Sequence, residues 1–176
     1  MRLPFTDLPD TARLWSFHTA TPLTPEQEQA LRARLESFLS TWAAHRREMH
    51  TGYDLRESQL LLVAVDDRHV GPSGCSIDAL VHELQAAGAE IGVELIDSPD
   101  VLYRREDGTL AAATRAEFRA RAESGTVTGT TAVFDRTVER LGDLRSGRFE
   151  LPASQSWHAR AFPLGADAGQ QTSATR

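Results

Sequence analysis

The chain has 176 residues, of which 40% are hydrophobic and 25% charged, a composition typical of one soluble globular domain with a hydrophobic core. The net charge of −6 argues against non-specific nucleic-acid binding, and no run of about 18 apolar residues is present that could span a membrane. All nineteen basic residues are arginine, which excludes catalysis through a Schiff-base lysine.

The first elements are a strand and a long helix. Residues 13–19, RLWSFHT, alternate between apolar and polar side chains and predict a half-buried strand. Thr24 and Gln27 have the spacing of a capping box and predict the start of a helix. An apolar stripe at helical spacing continues this helix through Trp42 to His45.

The middle of the chain predicts strands around a second helix. Residues 47–58 are expected to form a strand with a turn near its end. Residues 59–67, QLLLVAVDD, form a continuous apolar run and predict a central strand that is buried on both faces. The second helix is expected to start close to the single cysteine and to stop near Gly88, and residues 90–96 predict a return as a strand.

The next segment predicts a hairpin and a third helix. Asp107 and Gly108 lie between two short apolar runs, which is the sequence pattern of a type I′ hairpin. Thr114 and Glu117 have the spacing of a second capping box and begin a short helix. The segment TAVFDRTV that follows predicts a strand.

The last elements complete an α+β domain. A short helix is expected at 137–145 and a final strand at 156–162. The order of elements over residues 13–96 predicts a ferredoxin-like (βαββαβ) core, which the later hairpin and helices extend. We therefore expect one α+β domain over residues 1–162 and a disordered tail over residues 163–176.

The stretch GPSGCSIDALVHEL contains the only cysteine, Cys75, at the expected start of the second helix. Free N–H groups and the helix dipole at such a position favour a thiolate, which is a nucleophile. Ser73 and Ser76 supply hydroxyl groups, and Gly74 permits close approach of a ligand. The plainer interpretation, which we favour, is a small apolar residue buried under the helix start, because free cysteine is usually buried.

Two further residues, Asp78 and His45, are candidates for catalysis together with this thiol. Asp78 lies in the first turn of the same helix, where an acid more often complements the helix dipole than acts as a base. His45 follows Trp42 at the expected end of the first helix and could act as a base for Cys75, although a histidine there more often caps the last carbonyl groups. Trp42 is itself a candidate ligand-binding residue.

Near the end of the chain, SQSWHAR contains the candidate ligand-binding residues Trp157 and Arg160. In a strand, Arg160 would lie on the opposite face from Trp157 and could line a cleft, although such polar side chains are usually only solvated.

No pattern in the sequence predicts a cofactor or metal. The six histidines lack the spacing of a zinc site, and no second cysteine is available as a ligand. Because a single cysteine also excludes an internal disulfide, and because the first residues lack the apolar segment of a secretory signal, we expect a cytoplasmic protein.

The segments TWAAH, LLVAVDD, SGCSID, VFDRTV and SWHARAF together resemble a family of small bacterial proteins with no established activity, often labelled "ABC transporter ATPase". The resemblance covers about Trp15 to Phe162, and SGCSID is its most specific element. A P-loop ATPase needs a lysine that reaches the β- and γ-phosphates, and this chain has none. We therefore reject the activity that the label implies.

Two functional hypotheses remain. The preferred one is a small binding or accessory module that recognises a small molecule or a protein, because no complete catalytic constellation is evident. The alternative is a thiol-dependent enzyme or a redox-responsive protein that uses Cys75, with any disulfide step requiring an external thiol or a second copy of the chain.

Overall fold

The computed structural model describes residues 1–44, 46–68, 70–95 and 100–165. It is a mixture of helices and antiparallel sheets, so the α+β class predicted from the sequence is confirmed. In this part of the chain, every helix is too short or too polar to cross a lipid bilayer.

The helices and strands follow one another along the whole described chain. The α-helices are α1 (Pro25–Thr41), α2 (Gly74–Ile91), α3 (Arg115–Glu123), α4 (Leu141–Arg145) and α5 (His158–Ala161). The strands are β1 (Arg13–His18), β2 (Ala43–Ala44), β3 (Arg47–Glu48), β4 (His50–Arg56), β5 (Leu60–Asp66), β6 (Val101–Arg104), β7 (Leu110–Ala113), β8 (Ala132–Phe134) and β9 (Glu150–Pro152).

The residue contacts divide the chain into two compact units. The first unit comprises Met1–Asp97 and Val138–Ser146, and the second comprises Ser98–Thr137 and Gly147–Arg176. Each unit thus contains two separate stretches of sequence, and the range 1–162, which we expected to form one domain, includes parts of both units.

The first unit contains a three-stranded antiparallel sheet in the order β1-β5-β4. In its register Trp15 lies opposite Val63, and Thr51 lies opposite Val65. All residues of β5 are buried, which confirms the prediction of a central strand from its continuous apolar run.

Helices α1 and α2 contribute the main hydrophobic core of the first unit together with the sheet. The capping box of Thr24 and Gln27 begins α1 as predicted. The buried core residues include Leu31, Leu35 and Leu39 of α1, Leu80 and Leu84 of α2, and Phe17, Leu61, Val63 and Val65 of the sheet. Leucines spaced by four form one face of α1, so the apolar stripe seen in the sequence is the buried face.

The strand predicted at 90–96 is wrong for the described residues, because α2 continues to Ile91 and no strand follows before Leu95. Gly88, the expected stop, lies inside the helix, where its missing side chain lets the Val93 N–H reach the Gly88 carbonyl at 2.9 Å. The helix ends instead at Gly92, which has a φ of 71°. Without that strand the ferredoxin-like topology is not confirmed.

The outer edge of β1 is covered by a later segment of the first unit. The Leu14 N–H donates to the Glu139 carbonyl at 2.9 Å, and the Leu141 N–H donates to the Ala12 carbonyl at 3.0 Å. Helix α4 begins at this point, close to the position predicted from the sequence. These two bonds occupy backbone groups that an edge strand would otherwise leave open.

The second unit contains a four-stranded antiparallel sheet in the order β7-β6-β8-β9. The buried Phe118 of α3 lies near the centre of its core, with ring centroids 5.4 Å from Tyr103 and 4.8 Å from Phe162. The capping box of Thr114 and Glu117 begins α3 as predicted, and this helix places Phe118 against the sheet.

The β6–β7 hairpin is confirmed, but its turn is not type I′. A type I′ turn requires positive φ at both central residues, whereas within this turn only Gly108 has a positive φ, of 81°. Asp107 instead accepts hydrogen bonds from the Thr109 N–H and hydroxyl at 2.9 and 2.6 Å, and this local pairing selects the turn.

The tail predicted to be disordered begins within the described residues. Gly165 forms a parallel bridge with Thr128, and Leu164 contacts the core of the second unit. The rest of that tail, residues 166–176, lies outside the described residues.

Candidate binding site

Four of the predicted site residues lie at the start of α2. Ser73 is the N-cap, and its hydroxyl accepts the Ser76 N–H at 3.2 Å while the Ser76 hydroxyl donates to the Ser73 carbonyl at 2.8 Å. Space is open around Gly74, where an added side-chain carbon would meet no atom within 4 Å. The two serine hydroxyls therefore stabilise the helix start, and Cys75 lies between them.

Cys75 is exposed, so its interpretation as a buried residue under the helix start is wrong. The buried residue of this turn is Ser76, with 5% of its surface exposed. Because Ser73 and Ser76 satisfy the helix cap, the side chain between them can face solvent. The general tendency of free cysteine to be buried predicted the opposite.

Trp42 belongs to the core of the first unit. It is 3% exposed, and its indole Nε1 donates to the Ser76 carbonyl at 2.9 Å. The prediction that α1 reaches His45 is wrong, because the backbone becomes extended at Trp42 and residues 43–44 form β2. The apolar side chain of Trp42 fills the core without belonging to the helix.

The remaining two candidates of the first unit do not form a defined site with the thiol. Asp78 is exposed, but it is the fifth residue of α2, so the prediction that it lies in the first turn is wrong. His45 lies outside the described residues, so the proposed pairing of Cys75 with His45 stays a prediction.

Trp157 and Arg160 lie in the second unit, in a segment that was predicted as a strand. That prediction is wrong, because the Ala159 N–H donates to the Ser156 carbonyl and the Arg160 N–H to the Trp157 carbonyl, both at 3.1 Å, and α5 forms. Trp157 is half-buried and donates its indole N–H to Asp135 at 3.2 Å. Arg160 is exposed.

Two arginines of α3 stack on the aromatic rings of this segment. The Arg115 guanidinium lies 5.2 Å from the Trp157 ring centroid and 5.4 Å from that of Phe162. The Arg119 guanidinium lies 5.7 Å from the Phe162 centroid and donates to the Ala161 carbonyl at 3.0 Å. We call the region formed by the exposed Arg115, Arg119 and Arg160, the half-buried Trp157 and the buried Phe162 the arginine–aromatic surface.

Beneath this surface lies a fully buried histidine. The His158 ring stacks on Trp157 with centroids 3.9 Å apart, and its Nδ1 lies 2.7 Å from the Ser156 hydroxyl. Its Nε2 is buried and has no hydrogen-bond partner among the described residues. Burial lowers the pKa of His158 to about 4, an effect that the Asp135 carboxylate opposes and the Arg115 guanidinium reinforces. The imidazole is therefore neutral at pH 7.

The first unit has a groove of about 540 Å³ along α1. Its main charged groups are already paired, because Glu28 accepts hydrogen bonds from Arg32 at 2.8 Å and from the Ser58 hydroxyl at 2.5 Å. These bonds lower the pKa of Glu28, with the Ser58 hydrogen bond as the largest cause. A groove whose charges satisfy one another offers a ligand few free polar groups.

Metal binding finds no support in the described ranges, where no three His, Cys, Asp or Glu side chains are grouped closely enough to hold an ion.

No protein-family model matches the chain, and no curated protein or solved structure is significantly similar to it. The resemblance to the small bacterial family therefore stays a prediction.

Sequence reasoning singled out Trp157 and Arg160 but missed Arg115 and Arg119. Their separation by four residues in TRAEFRAR places them on one face of α3, and this spacing was the available signal. Their stacking on Trp157 and Phe162 brings together segments about forty residues apart, which local patterns do not predict.

Proposed function

We propose that this chain is a small binding or accessory module of the bacterial cytoplasm, and not a P-loop ATPase, that binds an acidic segment of a partner protein. The binding site is the arginine–aromatic surface of the second unit. The observation that supports this proposal is that Arg115, Arg119 and Arg160 form no ion pair with any described residue. Acidic side chains of a partner supply the missing carboxylates.

The aromatic rings restrict the conformations of these guanidinium groups before a partner binds. Contact with Trp157 and Phe162 restricts the side chains of Arg115 and Arg119. One N–H of Arg119 donates to the Ala161 carbonyl, and the other N–H groups of the two guanidiniums are left for carboxylates. Less conformational entropy is then lost when a bidentate pair forms. Arginine and tryptophan are also the residue types that contribute most often to binding energy at protein interfaces.

The local charge is opposite to that of the whole chain. Against a net charge of −6, α3 and α5 present uncompensated cations at one surface. The carboxylate of Glu117 in α3 is directed to the helix start by its capping box, where it accepts the Thr114 N–H at 2.8 Å. An acidic segment is thus attracted to this surface, whereas contacts elsewhere are disfavoured by repulsion.

The proposal includes a ferredoxin-like topology for the first unit. The first unit follows the order strand, helix, strand, strand, helix, and its third long strand, β5, lies in the centre of an antiparallel sheet. This arrangement supports a ferredoxin-like core in which residues near 139–141 replace the fourth strand at the edge of β1.

A defined peptide tests the binding function. A fluorescein-labelled peptide of alternating glutamate and glycine is titrated with the full chain at low salt, and binding is read by fluorescence anisotropy. We expect saturable binding that weakens at least about tenfold in the double variant Arg115→Ala/Arg119→Ala. The matched control, Arg105→Ala/Arg121→Ala, removes the same charge and should change the affinity less than about twofold.

Three outcomes contradict this proposal. Absence of binding at low salt is one, and equal weakening in both double variants is another, since it indicates a general charge effect. The third is tighter binding of a labelled oligothymidine than of the acidic peptide, which would assign the surface to single-stranded nucleic acid.

The exposure of Cys75 favours a second function, that of a thiol-dependent enzyme or a redox-responsive protein. The test is the rate of iodoacetamide alkylation at pH 7 in folded and unfolded protein. A folded chain that reacts faster than the unfolded chain supports an activated thiolate, because the thiolate is the nucleophile. A slower reaction in the folded chain contradicts this function.

A further inference from the structure

The second unit contains a cavity of about 340 Å³ at the tip of the β6–β7 hairpin. We call it the hairpin cavity. Its lining residues include Tyr103, Arg104, Arg105, Glu106, Asp107 and Arg121. Sites for small molecules in proteins have volumes from about 300 to 1,000 Å³, so this cavity has room for one small ligand.

The hairpin turn gives the cavity a defined wall. The Arg105 N–H donates to the Thr109 carbonyl at 2.9 Å, and the Gly108 N–H donates to the Arg105 carbonyl at 2.9 Å. The Asp107 carboxylate closes the turn through its two bonds to Thr109. These bonds fix the backbone of three successive lining residues before any ligand binds.

The arginines of the cavity differ in whether their charge is compensated. Arg104 pairs with Glu150 through two hydrogen bonds of 2.7 and 3.2 Å and also donates to the Gly108 carbonyl. Arg105 and Arg121 form no ion pair of 4 Å or less with a described residue, although one N–H of the Arg105 guanidinium donates to the Thr109 hydroxyl at 3.4 Å. The cavity thus holds two guanidinium groups, one from the hairpin and one from α3, that are available to an anion.

Two acids also line the cavity, and they limit the charge of the ligand. Asp107 is occupied by Thr109, which holds the pKa of its carboxyl below the ordinary value. Glu106 is exposed at the tip of the turn. Because Arg104 is compensated by Glu150, only the charges of Arg105 and Arg121 are left for a ligand, and two guanidinium groups suit a ligand with a single anionic group.

The rest of the ligand is expected to be apolar. Tyr103 is 4% exposed and is fixed by its edge-to-face contact with the buried Phe118. This ring is a rigid apolar part of the cavity lining. A ligand with a flat hydrocarbon body and one anionic head matches both parts of this lining.

We propose that the hairpin cavity binds a small organic anion, in which one carboxylate or phosphate group lies between Arg105 and Arg121 and an apolar body lies against Tyr103. This site is separate from the arginine–aromatic surface, and its ligand is a small molecule instead of a protein segment.

The test uses four probes with the full chain in isothermal titration calorimetry: phenyl phosphate, benzoate, the uncharged benzyl alcohol, and inorganic phosphate. We expect phenyl phosphate or benzoate to bind at least tenfold more tightly than the other two probes. The double variant Arg105→Ala/Arg121→Ala should weaken that binding at least tenfold. The matched variant Arg115→Ala/Arg119→Ala should leave it within twofold, and thermal melting of both variants checks that each is folded.

The probes also separate the possible sources of the anionic group. Binding of phenyl phosphate alone identifies a phosphate ester, binding of benzoate alone a carboxylate, and binding of both supports the shared chemistry. Equal binding of inorganic phosphate contradicts a role for the apolar wall, and absence of binding at millimolar concentrations overturns the proposal. Because peptide binding depends on a different pair of arginines, either site can fail while the other stands.

Discussion

Trp42 and Ser76 are joined by a buried hydrogen bond of 2.9 Å from the indole Nε1 to the main-chain carbonyl oxygen. The bond connects the residue that ends α1 with the first turn of α2. The start of α2, where Cys75 is exposed, is therefore held in place by the core residue that directly follows α1.

Replacing Trp42 with phenylalanine tests the strength of this link. The variant loses the indole hydrogen bond and part of the buried ring, so we expect it to lower the free energy of unfolding by about 2 kcal/mol. The measurement is urea unfolding followed by circular dichroism. Trp15→Phe is the control, because Trp15 is half-buried in β1, and it should cost less. Equal costs for the two variants would show that the Ser76 bond contributes nothing specific.

Gly88 is expected to be intolerant of any side chain. A Cβ at this position would lie 2.6 Å from the Val93 carbonyl oxygen, a main-chain atom that cannot move without displacing the end of α2. We expect Gly88→Ala to lower the free energy of unfolding by about 1 to 3 kcal/mol. Gly74→Ala is the matched control, since open space surrounds that position and alanine favours the helix. Its stability should be unchanged or higher.

The buried His158 makes stability depend on pH. Its pKa is about 4 in the folded protein against an ordinary value of 6.5, so between these values the unfolded chain binds more protons. Stability contributed by this group is thus complete above about pH 6.5 and is lost progressively as the pH falls towards 4. At about 1.4 kcal/mol for each pKa unit, the loss reaches about 3 kcal/mol.

The check is the difference in unfolding free energy between pH 7 and pH 4.5, measured for the wild-type chain and for His158→Phe. Carboxylates elsewhere titrate equally in both proteins, so subtraction isolates the histidine. We expect the wild-type chain to lose about 2 kcal/mol more than the variant over this range. The same loss in both proteins would mean that the pKa of His158 is not lowered in the folded state.

The capping box of α3 is expected to contribute measurably to the second unit. Thr114 accepts the Glu117 N–H at 3.2 Å, and its own N–H donates to the Glu117 carboxylate. Thr114→Ala should therefore lower the free energy of unfolding by about 1 kcal/mol in chemical denaturation, whereas Thr114→Ser, which keeps the hydroxyl, should stay close to wild type. Loss of stability in the serine variant as well would assign the effect to the methyl group.

Local patterns predicted most elements of this fold because the responsible interactions are local. The capping boxes at Thr24 and Thr114 and the apolar run of β5 are read directly from neighbouring residues. The end of α2 was missed because Gly88 is required for close packing against the main chain at Val93. In the sequence, a glycine needed for packing looks the same as a glycine that ends a helix.

The candidate sites were less predictable because they depend on contacts between distant residues. The exposure of Cys75 follows from a cap that pairs Ser73 with Ser76, and the SGCS pattern contains both serines without indicating which side chain is buried. The arginine–aromatic surface requires α3 to meet the segment around Trp157, and tertiary contacts of this kind are absent from single-sequence patterns.

The edge of β1 is completed by residues near Glu139, which belong to the first unit although the chain has passed through the second unit in between. A single cleavage therefore cannot release an intact first unit. A fragment that ends at residue 97 would leave the Leu14 N–H and the Ala12 carbonyl unpaired and would present an open strand to other molecules. Such a fragment is expected to self-associate, and adding a peptide that carries residues 138–146 should restore the monomer by complementation.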